Sequence, residues 1–520
     1  MMRRGLFALG VAACAGAPLA GPAPVVVPVQ PPLPRTAATA TATTKPEAPL
    51  AAPDIVPPPF VMGTAVHGKT PPLREAPKRA LTAKWSARVG KTTFRTTMAM
   101  VGDKIVIGTH GDSLKGLNEA SDGVYVLEAK TGKLAKKITP PGTGDKDVGG
   151  IALDGPSVVF GTDNGYVVKA SLDGVTAWTA KLGGKVRPAP ALARLRASGG
   201  VGGTAPEMAA LDVVVGDENG TLHALDGDTG KPLWTRDTGK NDYDAGGFVA
   251  SAAIARLDGD AIDDVIAGAR DGVLVAYDGR DGQEMWRYEG GSGIHASPSI
   301  VDLDGDGRME VIAAWSYSTV VVFDAKTGDV RWEQTLEQDD IGIEGLFASP
   351  IPVARKSGGV VVQPTSWWGG KRGAATSVDG IIVAGQERRA FRTAEGRVTA
   401  TAVVMDLDDD GSWDAIVGTE AGDLLAIDVE RGTRTVIGRG NGGIEAPALV
   451  ADVDGDGTYE LLVASNDGML TCFGTGSKTK PLVPRFRGAT PDNRGHLGAI
   501  AMGWKMSAEP VEPRPALRKH

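Results

Sequence analysis

Asp302-Leu-Asp-Gly-Asp-Gly-Arg-Met-Glu310 is an acidic motif that recurs as Asp406-Leu-Asp-Asp-Asp-Gly-Ser-Trp-Asp414 and Asp452-Val-Asp-Gly-Asp-Gly-Thr-Tyr-Glu460. Each copy places carboxylates at its first, third, fifth and ninth positions and glycine at its sixth. A loop with this spacing wraps around a hard cation such as Ca²⁺, which takes roughly six to eight oxygen ligands. Apolar, β-branched runs flank the loops, so the loops join strands. The motif predicts calcium loops within a β protein.

The predicted calcium ligands are the twelve acidic residues at these positions. Carboxylates this close repel one another without a cation, because two charges about 4 Å apart interact by roughly 4 kcal/mol at an effective dielectric near 20. The alternative is a solvated acidic turn without metal. We expect calcium to pin each loop between two strands and not to catalyse a reaction. The ligands are Asp302, Asp304, Asp306, Glu310, Asp406, Asp408, Asp410, Asp414, Asp452, Asp454, Asp456 and Glu460.

A fourth copy of the motif is degenerate. Arg256-Leu-Asp-Gly-Asp-Ala-Ile-Asp-Asp264 keeps acids at the third, fifth and ninth positions but begins with arginine and has alanine in place of the glycine. We interpret the Arg256 guanidinium as a partial replacement for the cation. Metal is therefore expected in the C-terminal half of the chain and in the fifth unit, and not in this loop.

The loops also mark the phase of a repeat. A strand that ends in a small residue, such as Val106-Ile-Gly108 or Ile416-Val-Gly418, recurs about every 46 to 55 residues. One gap is about double, and it holds a divergent unit around Gly359-Val-Val-Val-Gln363, which brings the total to about eight units. Periods of this size with four short strands per unit are typical of propellers. We predict an all-β, eight-bladed β-propeller of four-stranded antiparallel blades.

Each unit continues with a hairpin turn and then an Asp-x-x-Thr-Gly-like turn that leads to a tryptophan, as in Asp226 to Trp234. Equivalent tryptophans stand in several units. A large ring at a fixed place in a repeat buries most of its area between neighbouring units. We expect these rings to pack in the seams between blades. They are Trp178, Trp234, Trp286 and Trp332.

The unit Gly220-Thr-Leu-His-Ala-Leu-Asp-Gly-Asp-Thr-Gly-Lys-Pro-Leu-Trp234 resembles the pyrroloquinoline-quinone-like (PQQ-like) repeat. That repeat builds eight-bladed quinoprotein dehydrogenases and the non-catalytic BamB-like lipoprotein propeller of the outer-membrane barrel-assembly machinery. The acidic loops resemble FG-GAP repeats of integrin-type propellers, whose carboxylates bind calcium. The two resemblances cover about residues 81 to 490. They imply the fold more strongly than the function, because this fold carries enzymes, adhesins and scaffolds alike.

The N-terminal sequence predicts localisation to the cell envelope. Arg3-Arg4 precede a short apolar stretch and then Val11-Ala-Ala-Cys14, which resembles a lipoprotein signal peptide over residues 1–14 with a lipid on Cys14. The alternative is ordinary secretion with cleavage at Ala15-Gly-Ala17. Ala15 after the cysteine is compatible with sorting to the outer membrane, by analogy with such lipoproteins. The lipid would be the only attachment to the membrane.

Residues 15–80 hold nearly half of the 34 prolines of the chain, mixed with alanine and threonine, and show no periodicity. We predict a disordered, extended stalk there. The propeller is expected over 81–490 and a loose tail over 491–520. The strand that begins at Leu81 should complete the blade formed near Glu460 to Phe473, which closes the ring and removes its open edge.

The composition of the chain restricts the kinds of partner and chemistry that are expected. The net charge is −8, and nucleic-acid binding has no support. The chain has two cysteines, Cys14 and Cys472, so a lipidated monomer has no internal disulfide. The sequence lacks a vicinal cysteine pair, a Cys-x-x-Cys-His haem motif and a Gly-x-Ser-x-Gly elbow. A quinoprotein dehydrogenase therefore ranks behind a non-enzymatic function.

Two binding surfaces are candidates. Alignment of the units on their loops places six residues where the innermost strands begin, around the mouth of a central funnel: Arg187, Val249, His295, Phe347, Thr399 and Glu445. Of these, Arg187, His295 and Glu445 are the polar candidates for a small ligand or peptide. Trp367 and Trp368 in the divergent sixth unit form a second candidate, for a partner or a sugar. Both have a structural alternative, a wet funnel mouth and an irregular seam tryptophan.

We therefore expect a monomeric, calcium-stabilised propeller scaffold, lipid-anchored in the bacterial envelope, that binds or assembles envelope proteins. A surface adhesin or carbohydrate-binding propeller and a PQQ-dependent dehydrogenase are the alternatives.

Overall fold

The computed structural model describes residues 80–114, 119–196, 210–238, 247–316, 319–335, 346–356 and 398–499, together with the strand backbone at 74–75, 360–362, 380–384 and 387–391. The signal peptide, Cys14, nearly all of the stalk, Trp367, Trp368 and residues 500–520 lie outside this part of the chain. The described part contains no helix with the length and hydropathy that a membrane crossing requires.

The first half of the chain provides the following strands: β1 (Arg74–Glu75), β2 (Thr82–Arg88), β3 (Met98–Val101), β4 (Lys104–Thr109), β5 (Gly123–Glu128), β6 (Leu134–Ile138), β7 (Ile151–Asp154), β8 (Ser157–Gly161), β9 (Tyr166–Ser171), β10 (Thr176–Lys181), β11 (Ala191–Ala193), β12 (Asp212–Gly216), β13 (Thr221–Leu225), β14 (Pro232–Asp237), β15 (Ala253–Ala255), β16 (Asp264–Gly268), β17 (Val273–Tyr277) and β18 (Glu284–Glu289). The second half provides β19 (Ser299–Asp302), β20 (Glu310–Trp315), β21 (Thr319–Asp324), β22 (Val330–Thr335), β23 (Pro352–Ala354), β24 (Val360–Val362), β25 (Gly380–Ala384), β26 (Glu387–Phe391), β27 (Val403–Met405), β28 (Asp414–Gly418), β29 (Asp423–Asp428), β30 (Thr433–Arg439), β31 (Leu449–Ala451), β32 (Glu460–Ala464), β33 (Met469–Gly474) and β34 (His496–Ala499).

Hydrogen bonding groups these strands into sheets of four consecutive antiparallel strands, beginning with β3 to β6 and continuing through β27 to β30. The predicted all-β class and the four-stranded antiparallel unit are confirmed. Seven sheets are described with most of their side chains. In the sheet β23 to β26, side chains are described for β23, whereas the other three strands are described by their backbone. Short apolar strands that are buried at consecutive positions in the inner part of each sheet, separated by glycine turns, account for this regularity.

The last sheet joins the two ends of the propeller sequence. β2 pairs antiparallel with β33 as the outermost strand of a sheet whose other members are β32 and β31. The predicted closure is therefore confirmed. Apolar side chains pack between successive sheets around the ring; one such core joins the sheets of β27 and β31, and another joins those of β31 and β3. A closed ring leaves no unpaired sheet edge between its first and last sheets.

The seam tryptophans pack as predicted. The Trp178, Trp234 and Trp286 indoles each donate to a backbone carbonyl in the last turn of the following sheet, namely that of Gly227, Gly279 and Ala325 at 2.8–3.0 Å. Trp85 of the closing strand bonds Ala129 O in the same way. The glycine of each Asp-x-x-Thr-Gly turn lies against the ring, and a Cβ on Gly230 would come within 2.5 Å of Trp178. The repeated turn is therefore the socket for the neighbouring tryptophan.

The C-terminal segment, residues 482–499, runs along the innermost strands instead of forming a tail. Backbone carbonyls of Val483, Pro484, Pro491, Asp492, Arg494 and Gly495 accept hydrogen bonds from the innermost strands of six sheets, at Val404, Val450, Leu153, Leu192, Ile254 and Ile300. β34 also pairs parallel with β19. The predicted boundary at 490 was wrong, because N–H groups that face the axis of a propeller need acceptors. Within the predicted stalk, β1 pairs parallel with β30, and the stalk itself stays a prediction.

Candidate cation sites and the axial cavity

The strand order gives the propeller two different faces. Every acidic loop joins an innermost strand to the second strand of its sheet, as Asp302–Glu310 joins β19 to β20, so all of these loops lie on one face, which we name the loop face. The connections between second and third strands, and those between consecutive sheets, lie at the opposite ends of the strands. We name that side the funnel face. The predicted metal ligands and the predicted funnel residues are thus on opposite faces.

The first acidic loop brings three of its four predicted ligands together. Oxygens of Asp302, Asp304 and Asp306 lie within 4.8 Å of one another. Oxygens on one Ca²⁺ are at most about 5 Å apart, because each bond is about 2.3–2.6 Å long, so this spacing fits the ion. Backbone N–H groups of Gly305 and Gly307 bond the Asp302 carboxylate and hold the turn.

The second loop has the same fit with a different set. Oxygens of Asp406, Asp408 and Asp414 lie within 4.8 Å of one another. Asp410 is turned toward the Arg431 guanidinium at the loop edge. Asp409 stands in the left-handed region (φ 57°) and accepts hydrogen bonds from Ser477 and Thr479, so its carboxylate anchors the loop from outside the cluster. These bonds lower the pKa of Asp409 to about 2.

The third loop already contains a cationic side chain. Asp452, Asp454 and Glu460 form its cluster, and the Lys84 ammonium lies 2.5 Å from Glu460 Oε1, 3.1 Å from Asp454 Oδ2 and 3.9 Å from Asp456 Oδ2. Burial opposes this charge, but hydrogen bonds to Glu460 and Asp454 outweigh it and raise the pKa of Lys84. The lysine belongs to the closing strand β2, and the sequence analysis missed it. It competes with a metal ion for the same carboxylates.

The carboxylate at the ninth position has a structural role in every unit that carries it. One oxygen of Glu310, Asp414 and Glu460 accepts the N–H of the second loop residue, at 2.8–3.0 Å. The same bond occurs at Asp264 of the degenerate loop. Burial, aided by the neighbouring loop carboxylates, raises the pKa of Glu310 and of Asp414 to about 7. Ionising these buried carboxylates without a bound cation is unfavourable for the folded state. A cation beside them would stabilise the ionised form.

The degenerate loop differs in how its ninth carboxylate is used. Asp264 Oδ1 accepts the N–H of Gly279 and Oδ2 that of Leu257, so both oxygens are engaged by backbone. Asp258, Asp260 and Asp264 do not form a cation cluster among the described residues. The interpretation of Arg256 was wrong, because its guanidinium lies 3.5 Å from Asp263, whereas Arg280 contacts Asp260.

On the funnel face, three of the six predicted positions line one axial cavity. Val249, His295 and Phe347 border a small space of about 20 Å³ that is open to solvent. The Phe347 ring packs edge-on against both His295 and Phe94 at 5.2 and 5.1 Å between centroids. The remaining lining residues are Arg95, Pro188, Ala189, Ser251, Ser297, Ser349 and Phe486. The lining is aromatic with a few polar groups, and the space itself has room for about one water molecule.

The predicted polar residues Arg187 and Glu445 lie outside this lining. Arg187 forms ion pairs with Asp163, at 2.9 Å, and with Glu218, and Glu445 accepts a hydrogen bond from Asn466 at 2.6 Å. Arg95, which the sequence analysis missed, takes the place inside. Burial, aided by the charge of Arg187, lowers the pKa of Arg95 to about 10, and its Nε is buried without a hydrogen-bond partner in the described structure. The cavity therefore carries positive potential.

The floor of the cavity belongs to the C-terminal segment. Phe486 lines it, and the fully buried Arg487 beneath donates to the carbonyls of Pro298 and Ala252 at 2.6 and 3.0 Å. Burial lowers the pKa of Arg487 to about 9. Asn493 donates to Pro190 O and to Ile151 O from the same segment. The axis of the ring is thus closed by the chain itself.

Repeated four-stranded sheets around a closed axis define the protein as a β-propeller. The model of the family of the outer membrane protein assembly factor BamB matches residues 120–434, and the chain belongs to that family. The predicted BamB-like resemblance is confirmed, whereas the resemblance to FG-GAP repeats stays a prediction. No relative among curated proteins matches.

Solved structures share the fold at low identity. BamB from Moraxella catarrhalis is 17% identical, with a TM-score of 0.50, over 76% of this chain and 100% of that one. A quinohemoprotein alcohol dehydrogenase from Pseudomonas putida HK5 is 13% identical (TM-score 0.50; 79% and 78% covered), and one from Comamonas testosteroni is 14% identical (TM-score 0.54; 77% of each). At these identities the likeness extends to the fold alone.

Proposed function

We propose that this chain is a non-catalytic scaffold of the bacterial cell envelope, an eight-bladed propeller that binds or assembles envelope proteins. The observation that carries the proposal is membership of the BamB assembly-factor family over residues 120–434. The C-terminal segment supports it, because residues 482–499 are hydrogen-bonded to the innermost strands along the axis, which leaves the two faces and the outer strands as binding surface.

The chemistry of the axial cavity also favours binding over catalysis. Among the described residues, its lining includes no carboxylate, and His295 is the one imidazole there. An acid–base mechanism needs a second group at a matched position. Arg95 is a cation and an anion-binding group, so the cavity is better suited to hold a ligand than to turn it over.

Calcium and the lipid are further parts of the proposal. Ca²⁺ in the loops at Asp302–Glu310, Asp406–Asp414 and, more weakly, Asp452–Glu460 would neutralise the loop face and fix the hairpins between the two inner strands. A lipid on Cys14 and a proline-rich stalk over 15–80 would hold the propeller at the outer membrane as a monomer.

The scaffold function is tested by cross-linking the tagged, full-length chain in envelopes of its own host and identifying co-purified proteins. We expect the same few envelope proteins in near-stoichiometric amounts, and a loss of the membrane-bound fraction in Cys14→Ser. Recovery of the full-length chain alone from cross-linked envelopes would contradict the scaffold. An unchanged membrane fraction in Cys14→Ser would contradict only the lipid anchor.

A PQQ-dependent dehydrogenase is the second candidate, favoured by the aromatic cavity with its unpartnered Arg95 Nε. Reconstitution with PQQ and Ca²⁺ tests it through quinone absorbance and alcohol-dependent dye reduction. We expect neither signal. A stoichiometric quinone spectrum that Arg95→Met abolishes would replace the scaffold proposal with an enzyme.

An adhesin or carbohydrate-binding propeller is the third candidate and rests on Trp367 and Trp368. A glycan array with the full chain tests this candidate. We expect the chain to bind no glycan on the array through these tryptophans. Glycan binding that is lost in the Trp367→Ala/Trp368→Ala variant would favour the adhesin instead.

A further inference from the structure

A second kind of acidic cluster lies on the funnel face, between the first two sheets. Asp122 ends the connection from β4 to β5, and Asp145 and Asp147 lie in the connection from β6 to β7. One oxygen from each of the three carboxylates lies within 4.8 Å of the others. None of these residues belongs to an acidic loop motif, and none was predicted as a ligand.

Two of these carboxylates are buried with an oxygen that has no protein partner. Asp122 is 0% exposed and Asp147 is 4% exposed. Oδ1 of each is buried, and neither oxygen has a hydrogen-bond partner in the described structure. Burying a polar atom without a partner is unfavourable, and more so for a charged atom. The arrangement therefore points to a ligand that the two oxygens share.

The other oxygen of each buried carboxylate is held in place. Asp122 Oδ2 accepts the N–H of Glu119 at 3.0 Å. Asp147 Oδ2 lies 2.8 Å from His110 Nδ1, and the far nitrogen of His110 is 3.3 Å from the Thr93 hydroxyl. Partners that fix one oxygen and leave the second free are the usual support of a metal-binding carboxylate. The held oxygens thus orient the carboxylates on both sides of the cluster.

Two lysines act on the cluster among the described residues, and both are shared with other groups. Lys137, whose charge acts on Asp122, donates to Ala120 O and lies over the Tyr125 ring. Lys185 Nζ is 3.4 Å from Asp145 Oδ2, but it lies closer, at 2.8 Å, to Asp163, which also binds Arg187. Lys185 is therefore shared with a stronger partner. Burial and the repulsion among these carboxylates raise the pKa of Asp122 and of Asp145. The site has an excess of negative charge that a divalent cation would offset.

We propose that Asp122, Asp145 and Asp147 form a binding site for a hard divalent cation of the calcium class, which joins the first and second sheets on the funnel face. Oxygen-only donors of this kind suit Ca²⁺ and Mg²⁺ and not the softer transition metals. The imidazole of His110 positions Asp147 and does not bind the ion. This site is independent of the loop-face sites and of the scaffold function.

The test begins from a background variant, Asp302→Asn/Asp406→Asn/Asp452→Asn, which removes the first ligand of each loop-face site. Calcium is counted by isothermal titration and by elemental analysis after gel filtration. The background variant should keep about one calcium per chain, and addition of Asp122→Asn should bring the count to about zero. Asp112→Asn is the matched control, because Asp112 lies in the same connection but is exposed and paired with Arg88.

Melting temperature separates loss of the ion from loss of the fold. In chelator, Asp122→Asn should melt at or above the background variant, because the amide removes repulsion among the carboxylates. It should also lose the rise in melting temperature that calcium produces. Asp145→Asn, at a half-buried position, should behave in the same way if Asp122→Asn folds poorly. A background variant that binds no calcium, or a count that neither substitution lowers, would overturn the proposal.

Discussion

The loop face and the funnel face assemble acidic side chains in different ways. On the loop face, Asp406, Asp408 and Asp414 meet within nine consecutive residues, so the sequence motif alone places them together. On the funnel face, Asp122 meets Asp145 and Asp147 because β5 and β6 of the first sheet return the chain to the same end. A sequence repeat therefore reveals only sites that lie within one unit. Sites between units become visible when the strand order is known.

A second contrast lies within the loop face. Arg308 pairs with Asp306, one member of the first cluster, and Arg431 pairs with Asp410, outside the second cluster, whereas Lys84 reaches three carboxylates of the third loop. The lysine comes from the strand that closes the ring. The three loops have nearly identical sequences but different electrostatics. Their affinities for a metal ion should therefore differ.

Removal of calcium should have the largest effect on stability, because it leaves the clustered carboxylates without a cation. A site filled at a hundred times its dissociation constant contributes about 2.7 kcal/mol to the free energy of unfolding. Excess chelator should therefore lower the melting temperature by several degrees, and added calcium should restore it. Calorimetry measures the shift. Equal melting temperatures with and without chelator, in protein free of metal by elemental analysis, would show that calcium does not stabilise the fold.

The pH dependence of stability should also distinguish the two states. In the metal-free protein, burial raises the pKa of Glu310 from a usual value near 4.5 to about 7, and Asp414 likewise reaches about 7. Between these limits the folded chain keeps protons that the unfolded chain has released, so raising the pH through this window lowers the free energy of unfolding. In chelator, the melting temperature should fall from pH 5 to pH 7.5.

Calcium displaces those protons, so in excess calcium the fall should be absent or reversed. The Glu310→Gln/Asp414→Asn variant is the control and should flatten the profile in chelator. Parallel pH profiles in chelator and in calcium would contradict this account of the two buried carboxylates.

Ligand substitutions should separate complete loops from the degenerate one. Asp408→Ala removes a member of a cluster and should lower the calcium count by about one, whereas Asp258→Ala should leave it unchanged, because Asp264 is engaged by backbone on both oxygens. Asp304→Ala should behave as Asp408→Ala does. Titration calorimetry gives the counts. Loss of an ion in Asp258→Ala would mean that the fourth sheet carries a site as well.

The smallest expected effect concerns the third loop. Lys84→Met removes the competing ammonium and keeps the packing of the side-chain stem. Calcium affinity of this loop should rise by about tenfold or more, which corresponds to about 1.4 kcal/mol, whereas the first two loops should not change. Lys104→Met is the control, since Lys104 pairs with Asp103 away from the loop. Unchanged affinity in Lys84→Met would show that the lysine leaves the site when calcium enters.

The sequence was sufficient for features that repeat or close the ring. The seam tryptophans, the four-stranded unit and the closing strand from Thr82 to Arg88 follow from periodicity and from the need to bury sheet edges. Funnel-lining positions such as His295 and Phe347 followed from the same alignment. Each of these residues has a counterpart in the next unit, so alignment of the units predicts its position.

Other features have no counterpart in the repeat. Arg95 replaces Arg187 in the cavity because Asp163 and Glu218 hold Arg187 outside it. The segment around Arg487 lies along six different sheets, and no local pattern indicates which backbone groups it meets. Lys84 reaches a loop that is about 370 residues away in sequence. Contacts of this kind are set by topology, and a single sequence does not encode them in any short motif.

Anomalous diffraction from crystals of the full chain grown with calcium, or with terbium as its analogue, locates each bound ion. We expect strong peaks at the loops of Asp302 and Asp406, a weaker peak at that of Asp452 beside Lys84, and a peak among Asp122, Asp145 and Asp147. We expect no peak at Asp258. An absence of peaks at the first two loops, or a peak at Asp258 as strong as theirs, would contradict this expectation.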